Sequence, residues 1–251
     1  DPSQIVFHYD QAAYQVNDFN SNELVTIDIK GKMRGVQIGR ITISPFQYNP
    51  VQNVLRVFYN IEFEVIFENA NILTTNQMKS RYYSPHFEPA FGQLINYTPP
   101  AAKDMITTYP ITYIIVSDRS FETTLQPFIQ WKTKMGYKVI EGYTDVIGTT
   151  TTAIHNYLDN LYQTESPTPT YVLFVGDVAQ IPNYSGNAGS HQTDVYYCTY
   201  DGGSDYIPEL FFGRFPVETT TELQAILDKV LMHEMYTWPN DNFLDECVMV
   251  A

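Results

Sequence analysis

The segment Asp201-Gly202-Gly203-Ser204-Asp205-Tyr206-Ile207-Pro208-Glu209 spaces three carboxylates four residues apart in a glycine-containing stretch. Calcium takes roughly six to eight hard oxygen ligands, and carboxylates with main-chain carbonyls in a pliant loop supply them. The pattern is not an EF-hand, because the alternating ligands and the distal glutamate are missing. A solvated hairpin turn fits the same residues, since Asp-Gly is a common turn dipeptide. Spacing alone leaves both readings open. Asp177, in Gly176-Asp177-Val178, follows the apolar run Tyr171–Val175. Parallel sheets present ligand groups beyond the carboxyl ends of their strands, so Asp177 is a second candidate for holding a metal or orienting a base. The plainer alternative is an aspartate that caps a turn.

A cysteine nucleophile needs an exposed, electropositive setting with a base beside it. Cys198 follows Val195-Tyr196-Tyr197 and Cys247 precedes Val248, so both read as buried thiols in apolar, strand-like runs. No motif surrounds His191. His155 falls inside an expected helix and His233 near the end of another. Neither a Gly-x-Ser-x-Gly elbow, a Walker loop nor a dinucleotide fingerprint occurs. The chain therefore carries no recognisable nucleophile and nothing that supports nucleotide binding.

Charge narrows the classes further. There are 28 acidic against 14 basic side chains, a net charge of −14. A nucleic-acid groove needs a basic stripe to displace counterions, and anionic lipid needs a basic patch, so neither partner is expected. No apolar run approaches the roughly 18 residues of a membrane helix. Asp1-Pro2-Ser3-Gln4 has neither the basic nor the apolar region of a signal peptide. Two cysteines are too few for a disulfide scaffold, while low charge with 20 tyrosines leans extracytoplasmic. Val248-Met249-Val250-Ala251 reads as the middle of a buried strand with no turn after it, so the chain is expected to be cut from a longer one.

The elements that position these residues divide the chain. From residue 1 to about 68 the pattern is β. Leu24–Ile29, Val36–Ile43 and Ile61–Glu68 alternate apolar and polar residues, Leu55–Tyr59 starts another strand, and Phe46–Pro50 reads as a turn. An antiparallel sandwich or barrel follows. Residues 69 to about 108 hold no sustained period and four dispersed prolines, which reads as a connecting segment. After Tyr109 the pattern is strand, helix, strand, helix, strand. Ile111–Val116 is an apolar strand, and Phe121, Leu125, Phe128 and Ile129 mark a helix that Pro127 starts or kinks and Gly136 ends. Tyr137–Ile140 is the next strand. Thr149–Thr152 caps a helix with Ile154, Leu158 and Leu161, and Tyr171–Val175 is a buried parallel strand. Thr219-Thr220-Thr221-Glu222 has capping-box spacing ahead of a helix carrying Leu223, Ile226, Leu227, Val230 and Leu231. A last strand begins near Cys247. The expected fold is a two-domain α+β chain: an antiparallel β sandwich or barrel, then a mainly parallel, Rossmann-like α/β sheet.

The α/β half resembles the gingipains, secreted cysteine endopeptidases of oral bacteria. The resemblance is carried by Phe128–Tyr137, Tyr143-Thr144-Asp145 with Gly148-Thr149-Thr150, Leu173–Asp177, Thr193–Tyr197, Phe212–Phe215 and Asp228–Met232. It is closer to the lysine-specific branch than to the arginine-specific one. Residues 1 to about 100 resemble the β-rich pro-domain of such peptidases. The resemblance implies a caspase-like α/β fold and the organisation 1–100 pro-domain-like region, 101–108 linker and processing segment, 109–251 first part of the peptidase domain. It implies an N-terminal zymogen fragment without the catalytic Cys and His, inactive by itself, whose parent cleaves proteins and peptides after Lys or Arg. Neither Cys198 nor Cys247 matches the family nucleophile. The resemblance further implies structural calcium at Asp201, Asp205 and Glu209, with Asp177 at another acidic position, and partnership with the rest of the catalytic domain. The implied location is outside a bacterium or on its surface. Lys103 and Asp104, between Pro99-Pro100 and the first α/β strand, are the expected processing site. A second reading is a non-catalytic extracellular adhesion or binding module with a degenerate peptidase-like domain.

Overall fold

The computed structural model describes residues 9–20, 23–99, 111–187, 189, 191–202, 205–240 and 242. Lys103, Asp104, Cys247 and the expected final strand lie outside the described residues. The chain groups into two compact units: Asp1–Lys30 with Gln37–Asn71, and Gly31–Val36 with Ile72–Ala251.

In the first unit, strands β1 (Val25–Met33) and β2 (Val36–Ile43) form a hairpin. Arg34 and Gly35 connect them with φ of 49° and 75°, as a two-residue type I′ loop requires. This tip, Gly31–Val36, groups with the second unit. Strand β3 (Phe46–Asn49) pairs antiparallel with β4 (Val54–Val57). The residues Phe46–Asn49, expected as a turn, are thus strand. The chain reverses after them, where Asn49 Oδ1 accepts from Gln52 N at 3.0 Å. Within the first unit, antiparallel pairing is as expected and consists of these two hairpins among the described residues. Ile61–Phe67 alternates like a strand but joins no ladder among the described residues. Alternation specifies a strand only where one face is covered, and Ile66 and Phe67 stand 74% and 69% exposed.

The second unit begins with a correction to the expected connecting segment. It holds α1 (Ile72–Arg81), a 3-10 turn at Pro85–Phe87 and α2 (Glu88–Phe91). The ten residues of α1 lack an apolar stripe and none is buried, which is why no helical period was visible. There follow β5 (Thr112–Ser117), α3 (Glu122–Lys134), β6 (Lys138–Tyr143), α4 (Thr144–Ile147), α5 (Thr151–Thr164) and β7 (Tyr171–Val175). A short hairpin of β8 (Tyr184–Ser185) and β9 (Gln192–Thr193) precedes β10 (Phe211–Phe215) and α6 (Thr220–Glu234). Strands β10, β7, β5 and β6 form one parallel sheet in that order.

Period-two alternation sends neighbouring residues of each central strand to opposite faces, and both faces are covered. Ile114, Val116, Val172 and Phe174 pack with Ile154, Leu158 and Tyr162 of α5. Ile115, Leu173 and Val175 pack with Leu125, Phe128 and Ile129 of α3 and Leu223 and Leu227 of α6. The helix ends follow the sequence. Thr150 Oγ1 accepts from Ala153 N at 3.1 Å, Thr219 and Glu222 complete a capping box, and Gly136 takes φ 96° after α3. Pro127 lies inside α3 rather than at its start. Its missing N–H leaves a single carbonyl, that of Thr123, without an intrahelical donor. Val195–Tyr197, expected as strand, is a 3-10 turn leading into Cys198. Strand β10 was not expected, because Gly213 and Arg214 interrupt its apolar run.

Candidate functional site

The three loop carboxylates converge. Asp201, Asp205 and Glu209 each offer an oxygen within 4.8 Å of the others. Main-chain bonds shape the loop: Asp205 N donates to Gly202 O at 3.0 Å and Glu209 N to Cys198 O at 2.8 Å. The Asp205 carboxylate, 6% exposed, accepts from Asp201 N at 3.3 Å and Ile207 N at 3.0 Å. Glu209 is 1% exposed, and neither carboxylate oxygen has a hydrogen-bond partner. Burial first, then the charges of Asp205 and Asp201, push the Glu209 carboxyl up to about 9; the amides of Glu209 and Tyr200 offset part of that rise. Without a cation, Glu209 thus holds a proton at neutral pH.

This donor set fits a hard divalent cation. Oxygens about 2.3–2.6 Å from one calcium lie no more than about 5 Å apart, the span these carboxylates already occupy. A cation would give the orphaned Glu209 oxygens the partner that buried polar groups ordinarily have. Asp177 is not in this cluster. It is half-buried at the carboxyl end of β7, where its N donates to Val217 O at 2.9 Å and its carbonyl accepts from Gln180 N and Ile181 N at 3.0 and 2.8 Å. The turn there needs Gly176, with φ 140°, since a β-carbon would stand 2.7 Å from Gln180 Cβ.

Sequence reasoning missed Arg34, which is 1% exposed. Its guanidinium donates to the carbonyls of Tyr82 (2.5 Å), Pro169 (2.9 Å) and Glu209 (2.6 Å). It lies 4.8 Å from the centre of the Phe87 ring and 5.6 Å from that of Tyr162. Burial pushes its pKa down to about 10, which still leaves it charged at neutral pH. The only signal was Arg-Gly at hairpin spacing between two alternating strands. Arg214 explains two of the matched motifs. It forks onto Asp194 at 2.8 and 2.7 Å and donates to Gly176 O and Ile181 O, both at 2.9 Å, fixing the carboxyl end of β7.

Cys198 is fully buried, and burial with the nearby Glu209 and Asp194 raises its thiol well above the ordinary value. That is the reverse of an activated thiolate. His155 Nε2 bonds Thr199 O at 3.0 Å, and the His233 ring packs edge-on to Trp238. Among the described residues, three carboxylates cluster closely enough to hold a cation, and Cys198 is not an activated thiol. No helix among the described residues is long and apolar enough to cross a membrane.

Known proteins match the two parts of the chain separately. The family model "Propeptide_C25" matches residues 1–83, and "Peptidase family C25" matches residues 106–251. Lys-gingipain HG66 of Porphyromonas gingivalis is 34% identical over 262 aligned residues, covering 100% of this chain and 15% of that protein. Gingipain R1 of the same organism is 27% identical, covering 100% of this chain and 25% of that protein. The similarity is thus stronger to the lysine-named relatives. A solved structure described as "Structure of Protease" is 32% identical with a TM-score of 0.51, covering 53% of this chain and 30% of the other. The chain spans well under half the length of the relatives it matches. Propeptide match followed by peptidase match, over an α/β sheet of the caspase-like kind, means that this chain belongs to peptidase family C25 and comprises its propeptide and part of its peptidase domain.

Proposed function

We propose that the chain is the N-terminal part of the zymogen of a secreted or surface-bound bacterial cysteine endopeptidase that cleaves after lysine or arginine. The observation that carries this reading is the succession of propeptide and peptidase matches along one chain, with 34% identity to a Lys-gingipain across its whole length. The nucleophilic thiolate and its base belong to the parent protein outside these 251 residues, since Cys198 is too buried and too weakly acidic to serve and Cys247 does not match the family nucleophile. Asp201, Asp205 and Glu209 hold a structural calcium that ties the loop before β10 to the sheet, with Asp177 as a further acidic position. The chain works with the remainder of its own catalytic domain, and protein substrates are met by the full-length enzyme. Maturation cuts between Lys103 and Asp104, because a protease binds its substrate as extended chain and this lysine follows Pro99-Pro100.

The full-length protein tests this directly. It should hydrolyse lysyl or arginyl p-nitroanilides and lose that activity to a thiol alkylator, whereas the 251-residue chain should show none. A full-length protein inert toward both substrates would favour the adhesion module. In limited proteolysis of the chain with a lysine-specific protease, the first cut should fall after Lys103. Mass spectrometry reads it, and an earliest cut inside the strand-rich region sinks the boundary.

A further inference from the structure

The hairpin tip meets each of the three acidic residues through a different group. At Gly31, φ 146°, an added β-carbon would lie 3.3 Å from Asp205 Oδ1 and 3.2 Å from Ile207 Cδ1, so backbone passes directly over that carboxylate. Lys32 Nζ lies 3.3 Å from Asp201 Oδ1. Arg34 donates to the Glu209 carbonyl at 2.6 Å. The site itself is marked by the Glu209 carboxylate, buried and without any hydrogen-bond partner.

These contacts differ in what a cation would do to them. Arg34 is buried and bonds three carbonyls, so it fixes the tip whether or not a cation is present. Lys32 is joined to Asp201 by a single long, charge-assisted hydrogen bond of 3.3 Å, and the two side chains are 51% and 31% exposed. A dication held between Asp201, Asp205 and Glu209 places two positive charges beside the ammonium. The long lysine stem is free to carry that charge back to water. We propose that Lys32 is a resident counter-ion of the acidic site, paired with Asp201 in the cation-free chain and displaced when a divalent cation binds. This rests on the reading of Asp201, Asp205 and Glu209 as a cation site. Lys32 lies within the propeptide match and the carboxylates within the peptidase match. The propeptide therefore carries the competitor for a cation that the peptidase segment holds, and its removal tightens binding.

Isothermal titration of the chelator-treated chain with calcium chloride tests the proposal. Lys32→Gln keeps the stem and loses the charge. It should bind calcium about two- to fivefold more tightly at low salt, as expected for removing one partly exposed competing charge. Lys32→Arg should stay near the unsubstituted chain. The gap should close in about 0.5 M potassium chloride, where such a pair is screened. Binding seen only in Lys32→Gln also supports displacement. Equal or weaker binding by Lys32→Gln overturns displacement while leaving the cation site standing. No heat in any variant, or heat that Asp205→Asn does not reduce, overturns the site and the displacement together. As a check that needs no substitution, the side-chain ammonium NMR signal of Lys32 should shift on adding calcium. An unmoved signal at saturating calcium counts against the proposal.

Discussion

Glu209 makes the chain's stability depend on pH. Its carboxyl is held at about 9 in the fold, against an ordinary value of 4.5. Below about pH 4.5 both folded and unfolded chains carry the proton, and the folded form loses nothing. Above that, the unfolded chain releases its proton while the fold, which buries the carboxyl and sets it beside Asp205 and Asp201, retains it. Stability contributed by this group is therefore fully present below pH 4.5 and drains away as pH rises through about 9. In chelator, urea midpoints should fall across that window, and Glu209→Gln should flatten the fall. A slope unchanged by the substitution would assign it to other groups. With calcium bound, the carboxylate is the favoured form and the same window should lose its slope. Calcium should raise the melting temperature by mass action on the fold, and Asp205→Asn should blunt the rise. At this scale the sequence was readable where chemistry is local. Four-residue spacing in one loop found Asp201, Asp205 and Glu209, but could not show that Glu209 is buried without a partner. Arg34 was not readable, because its acceptors lie 48, 135 and 175 residues away.

The elements were legible in proportion to how much of their stability is local. Helix α6 announces itself by Thr219 and Glu222, and both capping bonds form. Thr219→Ala should cost about 1 kcal/mol in urea unfolding, the usual worth of such a cap. Its other end depends on partners no local pattern reveals. Glu234 accepts from Lys132 Nζ at 2.7 Å and Trp131 Nε1 at 2.8 Å, joining the last turns of α3 and α6. The Lys132 side chain is only 10% exposed. Glu234→Ala strands that ammonium and should destabilise the fold by about 2–3 kcal/mol, several times the effect of an exposed pair. A loss below about 0.5 kcal/mol would mean that Lys132 reaches water unaided. The misses have the same root. Helix α1 lacks an apolar stripe and β10 has an interrupted one, so their conformations are set by packing and by the neighbouring strand. Ile61–Phe67 has the right alternation and no strand partner among the described residues.

Across the whole chain, the two halves were separable because the period changes from two to a strand–helix alternation near residue 110. The parallel order of the sheet was expected from buried, non-alternating strands, whereas the place of β10 at its edge was not. The first unit shows an open apolar face: Ile27, Ile29, Ile41 and Ile43 are between 37% and 58% exposed. Among the described residues, β10 pairs with β7 on one side only. Phe211 and Phe212 there are each 39% exposed. An edge left unpaired among the described residues is a template for an extended segment. Purified at high concentration, the chain should therefore form soluble clusters and then precipitate, despite a net charge of −14 that keeps molecules apart. Light scattering should register this, and Phe212→Lys, which sets a charge on the open rim, should delay it. Scattering identical in both would point instead to the isoleucine face. Turned to use, the same rim is a bait: short synthetic strands that keep the solution clear would reveal which sequences it accepts as a neighbour.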